Sequence, residues 1–386
     1  MKKITKLSLI ATLALGSVSF ANAQALEEAI KNVDVSGTVT YRYNDYEEND
    51  NVNDSKSENI FKAAINLKSK VNDDVVANVR FIVGEAEGAD ASYINTQSQS
   101  DKQLDVTLSE VNFTYTGIAN TAITFGKQGL ATPFTVHRDS IGNEQTGTGI
   151  VAVTNVGPVT LAAAYFNNTN LNKSKEVSLD IKGHENVLFA GAMASFAGIN
   201  ADASYIELED FFDAYTVGLS ASYDVASVKL NPYARYSSLD LDNNSADNVL
   251  WKVGMRANMG IFGAHLGYGQ TDKEGGVVAL DASSETGYDE HWRVTLSGET
   301  DSSVIYASVD AQVLPSLNVA LKYSDLDDDK KENKDQKEIY TQVTYQMSKN
   351  FTGYVRFGQY EVKNKFNGGT KDLDSTIGRL HVQYSF

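Results

Sequence analysis

The sequence of 386 residues contains no cysteine, four prolines and five histidines. Without cysteine there is no disulfide framework, no thiolate zinc site and no thiol nucleophile. The histidines are scattered with no H-E-x-x-H spacing, which leaves little for a metal-dependent active site. Proline stands far below its usual ~5%, where a soluble two-domain α/β chain would use more. Basic residues are also in deficit: 33 Lys and Arg face 50 Asp and Glu, a net charge of −17. A nucleic-acid binder needs a basic face to neutralise phosphates, so that class is set aside. What the chain does have in quantity is aromatic residues, 20 Tyr and 16 Phe.

The first residues read as an address for export. Lys2, Lys3 and Lys6 precede a small and apolar run from Leu7 to Phe20, and Ala21-Asn22-Ala23 fits a cleavage site. Residues 1–23 are therefore expected to be a signal peptide and 24–386 a single domain. Cleavage there removes three of the lysines and takes the net charge from −17 to −20. No later run reaches the ~18 apolar residues of a spanning helix.

The body alternates with period two. Leu380, Val382, Tyr384 and Phe386 share one face of the last segment, with Arg379, His381 and Gln383 on the other. Phe61, Ala63, Ile65 and Leu67 alternate with Lys62, Ala64, Asn66 and Lys68. Such alternation marks strands with one apolar and one polar face. A water-soluble sandwich and a membrane barrel share it, so the connections must decide. Eighteen candidate strands result, from 33–46 to 372–386, with sixteen as the alternative count. Their connections alternate short (Gly157, Ala197-Gly198, Gly260) and long (about 87–103, 129–147, 271–301). An even strand count with short periplasmic turns and long extracellular loops is the layout of an all-β, transmembrane antiparallel barrel. In strand 104–116 the apolar parity changes from Val106 and Leu108 to Val111, Phe113 and Tyr115, which predicts a bulge.

Loop composition agrees. Glu47 to Glu58 and Asp325 to Glu332 are rich in Asp, Glu, Asn and Lys, as solvated loop tips are. Asp240-x-Asp242-x-Asn244 starts like a calcium loop, but Ser245 replaces the turn glycine. No cofactor is called for; calcium on acidic pore or loop residues is the one ion left open. The terminal Tyr384-x-Phe386 resembles the assembly signal of bacterial outer-membrane barrels. Tyrosines near strand ends, among them Tyr41, Tyr165, Tyr223, Tyr236 and Tyr323, suit aromatic belts at the headgroup level.

The segment from Leu26 to Gly37, followed by Tyr41-Arg42-Tyr43, resembles the mature N-terminus of the major outer membrane protein porins of Campylobacter-type bacteria. Gly126-Lys127-Gln128, Gly147-Thr148-Gly149 and the run Val159 to Ala164 are further matches. The resemblance implies an 18-stranded trimeric porin with weak cation preference. Asn143-Glu144 stands where that family has Asp-Gly, so a metal or constriction role of that Asp does not carry over.

Parity in a barrel points Arg42, Lys62, Arg80, Arg235, Lys252, Arg256, Lys322, Arg356 and Arg379 into the lumen, with Glu110 among fewer acids. Loop 129–147 carries Arg138, Asp139 and Glu144, and small residues Ala152, Ala162 and Ala164 are expected to leave it room. The expectation is an eyelet: Asp139 and Glu144 on the loop, facing a basic ladder on the opposite wall. Opposed charges of this kind orient and filter solutes. The function expected is passive diffusion of small hydrophilic solutes and ions, with weak cation selectivity from acidic loops at the mouth. The expected partners are outer-membrane lipid and lipopolysaccharide, the barrel assembly machinery, two further copies in a homotrimer, and no nucleic acid. A substrate-specific channel, using inward Tyr233, Tyr306, Tyr340 and Tyr354, and a surface adhesin are the alternatives. A hydrolase would need a nucleophile and base, and Ser297 near His291 is the nearest arrangement.

Overall fold

Strand alternation closes into one barrel in a computed structural model of the chain. The structure describes residues 33–48, 55–84, 92–93, 105–142, 144–171, 181–242, 246–329, 334–364 and 372–386. The leader at 1–23, and Asn244 and Ser245 of the calcium-like motif, lie outside the described residues. The strands are β1 (Val33–Glu48), β2 (Ser55–Lys70), β3 (Val75–Gly84), β4 (Asp105–Tyr115), β5 (Thr121–Gly129), β6 (Thr146–Val156), β7 (Val159–Thr169), β8 (Val187–Phe196) and β9 (Ile199–Leu208). They continue with β10 (Phe212–Ala221, extended by Tyr223–Val225), β11 (Val228–Leu241), β12 (Asp247–Met259), β13 (Phe262–Thr271) and β14 (Ser302–Leu314). The last four are β15 (Leu317–Asp328), β16 (Lys334–Ser348), β17 (Phe351–Asn364) and β18 (Leu373–Ser385). The pair Ser92–Tyr93 adds a short contact to β2.

Each strand pairs antiparallel with its neighbours in sequence, and β18 returns to β1 from Thr38↔Ser385 to Glu48↔Ser375. The backbone of Phe386 completes the seam through Gly37 N–H to Phe386 O at 2.9 Å and Phe386 N–H to Gly37 O at 3.0 Å. Closure leaves no edge strand, which is what a β-structure needs where no water can satisfy N–H and C=O groups. The eighteen expected strands are all present, with ends moved by a few residues.

One end of the barrel carries tight turns. Ala197 and Gly198 both have positive φ, 51° and 81°, the mirror-image turn that suits strand twist. The other end carries the long connections, except that β9 and β10 are joined through Glu209–Phe211 alone. The bulge expected in β4 is found: Arg80 pairs with Glu110 and Phe81 with Leu108, so Ser109 is extra. Ser109 and Glu110 then both turn inward and are buried, while Val106, Leu108, Val111 and Phe113 stay on the outside.

The outer surface is apolar and exposed, with Val39, Leu161, Val217, Leu266, Leu321 and Val355 on six strands spread around the barrel. Tyr165, Tyr215, Tyr236 and Tyr323 lie toward the long-loop end, and Tyr223, Tyr345, Tyr384 and Phe386 toward the tight turns. These are the two amphipathic belts. The buried apolar residues sit inside the barrel instead, where they pack on loops that fold inward. Ala162 and Ala164 face that interior as expected. Ala152 does not: it lies between buried Val151 and Val153 and shares the outer face with Ile150. The reason is that β6 is apolar on both faces: Val151 and Val153 turn inward to pack with Leu130 and Phe134, so its alternation carries no polar contrast.

Candidate pore constriction

Among the described residues, two loops enter the barrel from the long-loop end. L3 joins β5 to β6 (residues 130–145), and L7 joins β13 to β14 (residues 272–301). L3 is knotted at its root by backbone pairs Leu130–Gln145 and Gln145–Val136, and by Thr135 Oγ1 donating to Leu130 O. Its Phe134 and Leu130 pack on inward Val151, Phe166, Phe189 and Leu239. Asp139 Oδ1 accepts the N–H groups of Ile141 and Gly142 at 2.8 and 2.7 Å, folding the tip into a turn.

The carboxylate of Glu144 is the anchor. Arg80 grips it through Nε at 2.8 Å and Nη2 at 2.5 Å, a bidentate fork. Lys62 gives all three of its donors to the same loop: Asp139 O at 2.7 Å, Gly142 O at 2.9 Å and Glu144 Oε1 at 3.1 Å. Burial alone would push the Glu144 carboxyl up, but the Arg80 hydrogen bonds and the Lys62 charge reverse this and hold it below the ordinary range. Arg138 reaches Glu110 at 2.8 Å on the bulge of β4. The fold thus brings Lys62, Arg80, Glu110, Arg138, Asp139 and Glu144 together. They do not form the expected arrangement. Glu144 is shut in against the wall that carries L3, because Lys62 and Arg80 occupy the adjacent strands β2 and β3. It faces no ladder across the lumen.

L7 was expected only as a long loop, and it proves to fold through the lumen. Its Val278, Leu280, Val294 and Leu296 are buried. It docks on L3 through Leu280 N–H to Phe134 O and Thr286 N–H to Pro133 O, both at 2.9 Å, and Gln145 Nε2 to Leu280 O at 2.6 Å. It then takes up three of the predicted wall cations. Arg235, held by Asp202 at 2.9 Å, also meets Glu285 at 3.0 Å. Lys252 donates to Gly287 O at 2.5 Å, and Arg256 meets Glu290 at 2.5 Å. Gly267 and Gly269 of β13 make room for Tyr288: a Cβ at Gly267 would lie 2.0 Å from its hydroxyl. Further on, Glu338 accepts the N–H groups of Trp292 at 3.0 Å and Arg293 at 2.9 Å, and the Ser324 hydroxyl at 2.9 Å. Tyr306 and Tyr340 are fully buried beneath the loop rather than forming an open aromatic track. Tyr306 donates to Tyr288 O and Val294 O. His291 packs on Tyr306, and burial pushes its imidazole down to about 3, with Lys322 adding in the same direction. His137 in L3 is pushed down to about 4, first by burial and then by Arg138.

The remaining predicted cations form a third group. Arg379 donates to Asn44 Oδ1 at 2.7 Å, Arg356 to Gln342 Oε1 at 2.7 Å and Arg42 to His381 Nδ1 at 3.2 Å. Lys322 stands 6.0 Å from the Tyr340 ring centre. Among the described residues, none of these four forms an ion pair. On the tight-turn side of L7, Arg256, Glu290, His291, Lys322 and Gln342 line a polar hollow of about 350 Å³. Ser297 and His291 are not paired: Ser297 Oγ accepts from Tyr288 N–H at 2.8 Å, and His291 Nδ1 meets Ser324 Oγ at 2.7 Å.

The family model described as the Campylobacter major outer membrane protein matches residues 1–379. The chain belongs to the Campylobacter major outer membrane protein family. It is an outer-membrane porin, and its place is the bacterial outer membrane. Family and barrel together point to a channel rather than an enzyme. No protein with a curated description matches the sequence. Among solved structures, this porin is similar to OpdL of Pseudomonas aeruginosa, with a TM-score of 0.75 at 14% identity over 92% of this chain and 99% of that one. It is also similar to OccAB4 of Acinetobacter baumannii, with a TM-score of 0.69 at 16% identity over 92% and 98%. OpdK of Pseudomonas aeruginosa, solved with vanillate, gives a TM-score of 0.68 at 16% identity over 92% and 98%. At such identities the likeness is one of fold.

Proposed function

We propose that this porin is a passive pore for small hydrophilic solutes and ions, narrowed jointly by L3 and L7. The carrying observation is the docking of the two loops on each other inside the barrel, through Pro133, Phe134, Leu280 and Thr286. Each loop is tied to the wall by buried polar groups, Glu144 for L3 and Glu338 for L7. Lys62, Arg80, Glu110, Arg138, Asp139, Glu144, Arg235, Lys252 and Arg256 set the shape of the passage. Arg42, Lys322, Arg356 and Arg379 contribute open charge to it.

Weak cation selectivity is part of the reading and is supported by the acid excess. Asp and Glu outnumber Lys and Arg by 50 to 33, and Glu47, Asp325, Asp327, Glu361 and Asp374 cluster toward the long-loop end. Acids at a mouth enrich cations over a Debye length, ~8 Å at physiological salt. The unpaired arginines farther in act against this, which keeps the preference weak. A planar bilayer with a KCl gradient tests both parts. Discrete conductance steps and a small reversal potential of cation sign are expected, whereas anion sign overturns the selectivity. Liposome swelling with a sugar size series should give a smooth cutoff; one favoured sugar would indicate a substrate-specific channel.

The same reading includes a cleaved leader at 1–23, insertion through the barrel assembly machinery using Tyr384 and Phe386, lipopolysaccharide around the outer belt, and a homotrimer. Three-level conductance steps are the signature expected of the trimer.

A further inference from the structure

The charged side chains of the lumen fall into two kinds. Arg80, Arg138, Arg235 and Arg256 each meet a carboxylate within 3.0 Å. Arg42, Arg379 and Arg356 do not. They come from three successive strands around the closing seam: β1, β18 and β17. Arg356 lies directly opposite Arg379 in register, and Arg42 is opposite His381, two residues along from Arg379. Like charges directly opposite on neighbouring strands are unfavourable. The fold nevertheless holds them there, and it does so with neutral groups.

Each guanidinium is oriented without an ion pair, although the Asp139 carboxylate of L3 lies within electrostatic reach of Arg42. Asn44, Gln342 and His381 each accept one hydrogen bond from an arginine and carry no negative charge to cancel it. Aromatic faces supply the rest of the support. Arg356 sits 4.6 Å from the Tyr354 ring centre and Arg379 sits 4.9 Å from that of Trp292. Tyr354 is in turn stacked on His381 at 4.8 Å. A ring face attracts the cation but leaves most guanidinium N–H groups available. All three arginines are half-buried, so the lumen can reach them. Trp292 belongs to L7, so the loop that narrows the pore also helps to build this patch.

We propose that Arg42, Arg356 and Arg379 form a binding station for small organic acids carrying two or three carboxylates. Guanidinium forks match carboxylates in pairs, and three fixed cations suit a solute with several of them. The station deepens the pore reading and depends on it. A transported solute must bind well enough to enter and weakly enough to leave. The neutral supports keep the site preorganised, while the acidic mouth limits how strongly anions gather.

Citrate added to the purified full-length porin in a planar bilayer is the test. In KCl, citrate is expected to interrupt the single-channel current at a frequency proportional to its concentration, and sucrose is not. The frequency should fall steeply as KCl is raised. The double variant Arg356→Gln/Arg379→Gln should lower it about tenfold or more, in line with the usual scale of electrostatic capture. Lys349→Gln, in a tight turn remote from the loops, should leave it unchanged. The unmodified protein alone decides the matter if the double variant does not fold: citrate without interruptions, or interruptions equal to those from sucrose, overturns the station. An equal citrate response in a folded double variant does the same. A protein that passes no KCl current would instead overturn the pore reading.

Discussion

Lys62 and Glu144 meet at 3.1 Å with both side chains almost wholly shut off from water. Their contact, shared with Arg80, fixes the one loop that the alternation pattern had marked for the pore. Removing one member of a buried ion pair strands the other charge, at a cost of about 3–5 kcal/mol. Glu144→Gln is therefore expected to lower the unfolding temperature in detergent and to free L3, seen as a larger and noisier conductance. An unchanged conductance would show that L3 is held by its apolar contacts alone. Lys62→Met should act in the same direction.

The open arginines make an opposite prediction about ions. Arg356→Gln/Arg379→Gln removes two positive charges from the passage and leaves the acidic mouth intact. Cation preference should increase, read as a larger reversal potential of cation sign in a KCl gradient. A shift toward anions would mean that these charges do not face the ion path.

Much of this was legible in the chain because a barrel obeys simple rules. Period-two alternation located the strands, and the short and long connections decided barrel over sandwich. Even the Ser109 bulge was visible, since a parity change between Leu108 and Val111 has no other cheap cause. Parity also placed every predicted wall cation on the inner side. What parity cannot give is pairing across the lumen, which depends on where loops go. For L7 the signal lies in its composition. Val277-Val278-Ala279-Leu280, Tyr288, Trp292, Val294 and Leu296 are too apolar for a solvated tip. Glu285 and Glu290 could have been matched to Arg235 and Arg256, and the paired glycines Gly267 and Gly269 marked the strand that receives an aromatic ring. Ala152 is illegible for a different reason: both faces of β6 are apolar, because Val151 and Val153 pack inward with the apolar root of L3, and parity without polar contrast does not say which face is inside.

Those glycines give a further test. A Cβ at Gly269 would lie 2.6 Å from the Tyr288 ring, and a branched side chain there would exclude the ring altogether. Gly269→Val should displace L7, leave the Glu144 anchor of L3 to Lys62 and Arg80 in place, and raise conductance and the size cutoff in liposome swelling. An unaltered cutoff would place the narrowest point at L3 alone.

Acid should loosen L7 as well. Docked His291 has its pKa depressed to about 3 by burial and by Lys322, while an undocked histidine titrates near 6.5. The undocked form binds more protons between those values, so docking is fully favourable above pH ~6.5 and weakens as pH falls toward 3. Current noise is expected to grow between pH 7 and pH 4. His291→Asn, which cannot titrate, should flatten that part of the profile. The same pH dependence in this variant would transfer the effect to His137, whose pKa is depressed to about 4.

The closing seam depends on a missing side chain. Gly37 exchanges both backbone hydrogen bonds with Phe386, and a Cβ at Gly37 would lie 2.3 Å from Ala64 O and 2.7 Å from the Phe386 ring. Neither neighbour can yield easily: Ala64 O belongs to β2, and the Phe386 ring stacks on Tyr384 at 5.9 Å. Gly37→Ala should therefore strain the seam where β1, β2 and the chain end meet, and slow folding into lipid vesicles more than it alters the finished pore. Band-shift electrophoresis during refolding measures the rate, and single-channel recording measures the product. Phe386→Ala removes the same ring without crowding Gly37. If both variants fold slowly, the ring's seat matters for closure; if only Gly37→Ala does, the crowding of β2 is responsible.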